Sequence, residues 1–449
     1  MKESKRKIYG EIEAAVHLQL AEVAANVQRI YIGYSGGVDS HVLLHACAAL
    51  PEFKAKITAV YIHHGLQSEA DDWAIHCQKI AEKLGVSFLI QRVNAHPNSG
   101  ESPEEAARNA RYAAFKNLIN KNDVLLIAQH REDQLETVLL QLFRGSGLRG
   151  LAGMPEKTPF GNGELLRPLL NISKEMITDY AAEQELNWIE DPSNQSTIYD
   201  RNFLRQEIIP HLKQRWQSLD KTVARAATHC AEAQTVISKL AQTQFETVFN
   251  PLDDTLNIPT LQTYAPSEQR LIVRQWFDFL GLKMPSHNFV QRILNDVMAA
   301  RVDGSPILTG HGVNIRRYRT KLYAMTHVLT GFEMCDWQHG KTTLTLSNQQ
   351  ILTIQSADCG ISHAVWNAAT ITVKMRRGGE TLALALALPN RDGHHELKKL
   401  FQEANIPPWQ RENMPLIYLN GELAAVGNLW ISTAFFTEKM AACVKIVCE

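Results

Sequence analysis

The stretch that most limits what this chain can fold into is Ser35-Gly36-Gly37-Val38-Asp39-Ser40. It follows the apolar run Ile30-Tyr31-Ile32-Gly33-Tyr34, which predicts a buried strand, and precedes Val42-Leu43-Leu44-His45-Ala46, which predicts a helix. A strand, a tight glycine turn and a helix start gather unpaired backbone N–H groups at the positive end of a helix dipole, and that makes an anion site. The glycines let the backbone approach a phosphate, and Ser35 and Ser40 add hydroxyl donors. Asp39 is the odd member, because a carboxylate repels phosphate; it suggests a bridging Mg²⁺ or a structural cap.

Two rival glycine signals fail. Gly340-Lys341-Thr342 resembles the tail of a Walker loop, but Cys335 stands where the first glycine is required. Gly145-Ser146-Gly147-Leu148-Arg149-Gly150 has dinucleotide-loop spacing but follows a helical pattern rather than a strand.

At 449 residues the chain is too long for one ordinary core. Its net charge of −1 confines any nucleic-acid surface to local patches. Seven cysteines and no C-x-x-C argue for a reducing compartment and against a zinc or iron–sulfur site. The charged start has no apolar signal core, and no apolar run has membrane-spanning length. The expectation is a cytoplasmic protein without membrane contact.

Strand and helix patterns alternate through the first part of the chain. Residues 11–25 form a leading helix. Lys56 to His63, Ser87 to Val93 and Asp123 to Gln129 form strands, with helices over Ser68 to Leu84 and from Ser102-Pro103-Glu104-Glu105 to about Ile119. This order predicts an α/β fold whose N-terminal part is a doubly wound parallel sheet. His63 sits at its carboxyl edge, where such sheets bind ligands.

His130-Arg131-Glu132-Asp133-Gln134-Leu135-Glu136-Thr137 opens the next helix, directly after the fourth strand. Asp133, Glu136 and Thr137 share one face, turned toward the sheet's carboxyl edge. Carboxylates there can hold Mg²⁺, accept a proton or bind a cationic substrate; they are also common in any first helical turn. Asp191-Pro192-Ser193-Asn194 predicts a turn. Arg201 and Arg205, four apart, suit a leaving pyrophosphate or an RNA phosphate, or simply a solvated basic face.

Asp220 to Phe249 predicts a long linking helix, and Ser267 to Leu280 and Ser286 to Ala300 two more, with Trp276, Phe277 and Phe279 in the core. His311 to Lys321 predicts a hairpin with one basic face, carrying Arg316, suited to RNA phosphates or to solvent. Residues 327–363 predict short strands. Arg376-Arg377-Gly378-Gly379 is a basic turn, and Asn420-Gly421 a two-residue hairpin turn. The Ala-Leu repeat at 382–388 has the look of an insertion.

Residues 35–40 resemble the PP-loop of the adenine-nucleotide α-hydrolase-like enzymes, which cut ATP between its α- and β-phosphates. His130 to Thr137 is similar to a segment of the tRNA(Ile)-lysidine synthetase family that ends D-D-Q-x-E-T, with Glu132 in place of the first aspartate. Arg144-Gly145-Ser146-Gly147, Arg167-Pro168-Leu169-Leu170, Trp188 to Asn194 and Arg201-Asn202-x-x-Arg205 continue in that family's order to about residue 215. Arg111-Tyr112 resembles the family's arginine near the amino-acid pocket.

The resemblance implies a PP-loop ATP-binding catalytic domain over 1–215. A mainly helical substrate- and tRNA-binding domain would follow over 216–326, and a smaller α+β tRNA-binding domain over 327–449. It implies ATP as co-substrate with Mg²⁺, and L-lysine and a tRNA(Ile) with CAU anticodon as partners; a homodimer is compatible with it.

In that chemistry carbon 2's carbonyl oxygen on the wobble cytidine attacks the α-phosphate. Lysine's ε-amine then displaces AMP. Ser35, Gly36, Gly37, Val38, Asp39, Ser40, His63 and Gly145 would hold the nucleotide. Asp39 and Asp133, with Glu132 as a third candidate, would contact the metal. Asp133 and Glu136 would bind and help deprotonate lysine, with His130 assisting; its amine, of solution pKa ~10.4, is almost wholly protonated at pH 7. Arg205 would steady the phosphates, and Arg111, Arg201, Arg316 and Arg376 would touch substrate. The alternative is a PP-loop tRNA sulfurtransferase. It needs a reactive cysteine pair near the site, whereas Cys47 and Cys77 lie in apolar helix patterns.

Overall fold

The computed structural model describes residues 2–65, 69–97, 103–191, 196–301, 304–326, 331–384 and 393–448. The chain divides into two compact units, Met1–Leu240 and Ala241–Glu449.

The first unit is built on a six-stranded sheet of order β3-β2-β1-β4-β6-β5. Its elements run α1 (Lys2–Val23), β1 (Ile30–Gly33), α2 (Val38–Ala48), α3 (Pro51–Lys54), β2 (Ile57–His63), α4 (Ala70–Leu84), β3 (Ser87–Arg92), α5 (Pro103–Leu118), β4 (Val124–Leu126), α6 (Arg131–Phe143), α7 (Leu148–Leu151), β5 (Lys157–Phe160), β6 (Gly163–Leu166) and α8 (Lys174–Glu183). All pairs are parallel except β5 with β6.

The strands read as continuous apolar runs because both faces are covered. Ile30 and Ile32 enter one layer with Val42, Leu43 and Ile177; Tyr31 enters the other with Val60, Phe115 and Leu125. Each such fully buried side chain contributes about 1.5–3 kcal/mol of apolar transfer. The chain steps outward from β1 to β2 and β3, then returns to β4 on the far side of β1. That reversal opens a crevice above the carboxyl ends of β1 and β4.

The β5–β6 hairpin is a sheet extension that the sequence reading passed over. The strand expected over Asp123 to Gln129 is only three residues long, which leaves 127–130 as the loop that delivers α6 to the crevice. Ser68, Ser102 and residues 192–195 of the expected turn lie outside the described residues.

After α8 the chain continues as α9 (Asp200–Phe203), a π-helical turn at Leu204–Ile208, α10 (Ile209–Arg215) and the long α11 (Leu219–Val248). In the second unit a five-stranded antiparallel sheet and helices at Pro266–Phe279 and His287–Arg292 share a core with Trp276 and Phe277. Phe279, expected in that core, is 56% exposed, since it lies past the buried stripe of its helix. That helix begins one residue before the expected Ser267, at Pro266, and is capped at Ala265, whose N–H donates to Glu268.

The expected hairpin at Asn420-Gly421 is present between Leu416–Leu419 and Glu422–Val426, with φ of 50° and 85° at the two turn residues. Residues 385–388 of the Ala-Leu repeat and 327–330 of the expected strand region lie outside the described residues. All seven cysteines are free. No helix among the described residues is long and apolar enough to cross a membrane.

Candidate active site

Gly37 is the N-cap of α2 and supplies no capping side chain, so the first-turn N–H groups of the helix are left to an outside anion. Gly36 makes the turn possible. Its φ is +84°, and a Cβ there would lie 2.7 Å from Ile189 Cδ1. The loop braces itself: Ser35 N–H donates to Ser40 Oγ at 3.2 Å, and Ser40 Oγ donates to Gly37 O at 2.9 Å. Ser40 is buried. Its hydroxyl is thus engaged in holding the loop, and Val38 can offer a ligand only its N–H, since its side chain packs on the core.

This loop forms one side of a cavity of about 450 Å³. Ser35, Gly37 and Asp39 give it a polar mouth, while Ile62, Phe115 and Ile127 line an apolar end. A polar rim over an apolar slot suits a nucleotide, phosphates at the helix start and base within. Arg111 lines it too. His63 does not. Its Nε2 lies 3.2 Å from Asp71 on α4, and the cavity wall takes the neighbouring His64 instead. Burial, with the Arg111 charge behind it, lowers the His64 imidazole to about 4, so it is neutral at pH 7. Gly145 is exposed beyond the end of α6 and does not line the cavity.

Beside the mouth sits an ionic cluster. His130 caps α6, its backbone N–H donating to Asp133 Oδ2 at 3.0 Å. The ring is buried among three carboxylates: Glu132 at 3.2 Å, Asp133 at 3.5 Å and Asp39 at 3.9 Å. Burial alone lowers an imidazole pKa; the Glu132 hydrogen bond and the Asp133 and Asp39 charges outweigh it and hold His130 above its ordinary value.

Glu132 accepts from Lys174 N–H at 2.9 Å and from Lys213 Nζ at 3.4 Å. Burial works to raise its carboxyl, yet these donors and His130 bring it down to about 2. The same contest, with His130 and both arginines against burial, leaves Asp133 below its ordinary value.

Asp133 and Glu136 face Arg201 and Arg205. Each Nε donates to Glu136 at 2.6 Å, and each guanidinium reaches Asp133 Oδ1, at 3.1 and 3.2 Å. Glu136 is fully buried, while the Arg205 side chain is 44% exposed. The π-turn at Leu204–Ile208 follows Arg201 and includes Arg205; such turns recur at functional sites.

Among the described residues no group of three or more His, Cys, Asp or Glu side chains could hold a metal alone. Mg²⁺ needs only one or two carboxylates when phosphates supply its other ligands. Asp39, partly exposed at the loop, fits that demand. Asp133 fits it less well, because both its oxygens already accept hydrogen bonds.

The sequence reading missed Lys174, whose Nζ lies 2.5 Å from Asp39 Oδ1, and the Arg131–Asp220 pair at 2.6 Å that ties α6 to the start of α11. Lys174 and Asp39 are 135 positions apart, and no local pattern links them. The available signal was Ser173, a helix cap placing Lys174 on the first turn of α8.

Arg316 and Arg376 both lie in the second unit. Arg316 stacks 5.0 Å from the Trp409 ring; Arg376 lies 5.7 Å from the Phe401 ring and 3.5 Å from Glu380.

Family models match three segments of the chain: a PP-loop domain at residues 11–212, a TilS substrate binding domain at 256–323 and a TilS substrate C-terminal domain at 371–448. The chain is 40% identical over 413 residues to a tRNA(Ile)-lysidine synthase from Methylococcus capsulatus, covering 90% of this chain and 92% of that protein. The chain belongs to the tRNA(Ile)-lysidine synthase family. A Coxiella burnetii tRNA(Ile)-lysidine synthase is 38% identical over 90% of this chain and 89% of its own length.

Among solved structures, a U34-tRNA thiolase from Methanococcus maripaludis is similar at 18% identity and a TM-score of 0.43, over 51% of this chain and 80% of that one. Membership makes the chain an ATP-dependent ligase acting on tRNA, with the loop on α2 as its PP-loop. The cysteines agree. Cys47 and Cys77 are fully buried, and burial pushes the Cys77 thiol up to about 12, the reverse of what a sulfur carrier needs.

Proposed function

We propose that this chain joins L-lysine to carbon 2 of the wobble cytidine of a tRNA(Ile) with CAU anticodon, through an adenylated tRNA. The observation that carries the residue roles is the uncapped start of α2 facing a cavity, with the ionic cluster of α6 at its mouth. The N–H groups at Gly37–Asp39 receive the phosphates. Asp39 would hold Mg²⁺, which would neutralise phosphate charge as the α-phosphate is attacked. The cytidine carbonyl oxygen forms the bond to the α-phosphorus, and pyrophosphate leaves with the bridging oxygen's electron pair. Arg205, half out of its carboxylate clamp, turns to that pyrophosphate.

When Arg205 leaves, Asp133 Oδ1 keeps only Arg201, and its freed side receives lysine's ammonium and draws a proton from it; the free amine then displaces AMP. Glu136 stays buried against Arg201 and fixes the arginine pair. His130, its pKa raised by the three carboxylates around it, is the group that offsets their mutual repulsion so that they sit together before substrate arrives. Arg111, in the cavity wall, is placed to bind an anionic group of a substrate.

The test is incubation with ATP, Mg²⁺, radiolabelled lysine and tRNA(Ile) bearing CAU. Label on the tRNA with release of AMP and pyrophosphate is expected; sulfur transfer without lysine transfer overturns the reading. Asp133→Ala should abolish lysine transfer while the fold survives.

A further inference from the structure

Asp39 stands where a carboxylate should be unwelcome, on the first turn of the helix whose N–H groups await phosphate. In this structure its nearest cationic group is the Lys174 ammonium, with the His130 ring farther off at 3.9 Å. Lys174 Nζ lies 2.5 Å from Asp39 Oδ1, and this is the only side-chain partner the ammonium makes among the described residues. The pair is partly open, at 38% exposure for Lys174 and 31% for Asp39, so it contributes little to folding. The backbone of Lys174 is fixed independently, by the Ser173 cap and by its own N–H bond to Glu132. The side chain is therefore a cation on a rigid mount whose one contact is a group that Mg²⁺ should claim.

We propose that Lys174 is a nucleotide-binding residue that trades partners: Mg²⁺ takes Asp39 as ATP arrives, and the released ammonium moves onto the nucleotide's phosphates. The proposal rests on the placement of the phosphates at α2 argued above. The exchange keeps the loop's charge balanced in both states. Empty, Asp39 is neutralised by Lys174. Loaded, Mg²⁺ neutralises Asp39, and Lys174 adds a point charge to a triphosphate that no longer faces a bare carboxylate. No covalent step is involved.

Two binding quantities should move in opposite senses when the side chain is removed. Lys174→Met loses a charge-assisted contact to phosphate, so its affinity for ATP at saturating Mg²⁺ should fall by about tenfold or more. It also loses the competitor for Asp39, so the Mg²⁺ concentration giving half-maximal ATP binding should fall. Calorimetric titration of ATP at a series of Mg²⁺ concentrations reads both. Lys174→Arg, which keeps the charge, should recover most of the ATP affinity.

A residue that merely supports the fold would weaken ATP binding without easing the Mg²⁺ requirement. ATP affinity unchanged in Lys174→Met, or an unchanged or higher Mg²⁺ midpoint, overturns the proposal. If Lys174→Met fails to fold, Lys174→Gln is judged by the same two numbers. Wild-type lysine transfer measured alongside separates failure of this inference from failure of the functional reading.

Discussion

Two pairs of arginines, alike in the sequence as basic residues suited to RNA or phosphate, have different surroundings. Arg201 and Arg205 in the first unit are held by carboxylates, with both Nε atoms on the buried Glu136. Arg316 and Arg376 in the second lie over the rings of Trp409 and Phe401. A guanidinium on a carboxylate is a stored charge: it can leave when a stronger anion arrives, and it uncovers a carboxylate as it goes. A guanidinium on an aromatic face is an adhesive contact, and its loss is felt as packing. Arg376 stands between the two cases, since it also lies 3.5 Å from Glu380.

The largest effect should come from Glu136→Ala. It leaves two partly exposed guanidiniums facing Asp133 alone, so the cost falls at the low end of that for a broken buried pair, about 3 kcal/mol. Thermal melts should show it, together with loss of lysine transfer. A variant of wild-type stability would break the contrast between the two arginine pairs.

Next is Glu132→Gln. The Glu132 carboxyl is lowered to about 2 from 4.5, so its contribution is present above pH 4.5 and lost as pH falls through about 2. The gap between wild type and variant should be about 3 kcal/mol at pH 6 and should close toward pH 2. His130 has the opposite sign. Its raised pKa stabilises fully below pH 6.5, and that contribution is lost as pH rises through the folded value. His130→Gln should therefore lose more stability, relative to wild type, at pH 6 than at pH 9.

Arg316→Ala should cost about 1 kcal/mol from the lost Trp409 contact. It should leave the salt dependence of tRNA binding unchanged. A phosphate contact would instead reduce the slope of log K against log salt by about 0.7–0.9. Arg376→Ala should behave alike with a smaller loss, since Glu380 is only 13% exposed and also accepts from the N–H groups of Arg377 and Gly378, which keep it paired.

Much of the first unit was legible because its signals are local. Ile30 to Ser40 carries a strand, a turn and a helix start within eleven residues. The β5–β6 hairpin was not, since Lys157-Thr158-Pro159-Phe160 has too little apolar alternation to announce a strand. The carboxylates of α6 were found by helix spacing; what they bind was not. Pairing Asp133 with Arg201, or Asp39 with Lys174, spans 68 and 135 positions and depends on how α9 packs against α6 and α8 against α2. Which of His63 and His64 faces the cavity turns on one residue at the end of β2, and that follows from packing rather than from local pattern.

The central claim is that the glycine turn at the start of α2 takes the phosphates of ATP while the α6 cluster waits beside them. A crystal structure with Mg²⁺ and a non-hydrolysable ATP analogue tests it most directly. The account expects phosphate oxygens within hydrogen-bond distance of the N–H groups at Gly37–Asp39 and the adenine between Ile62 and Ile127. A nucleotide bound away from that turn, with Gly36 and Asp39 untouched, would contradict it.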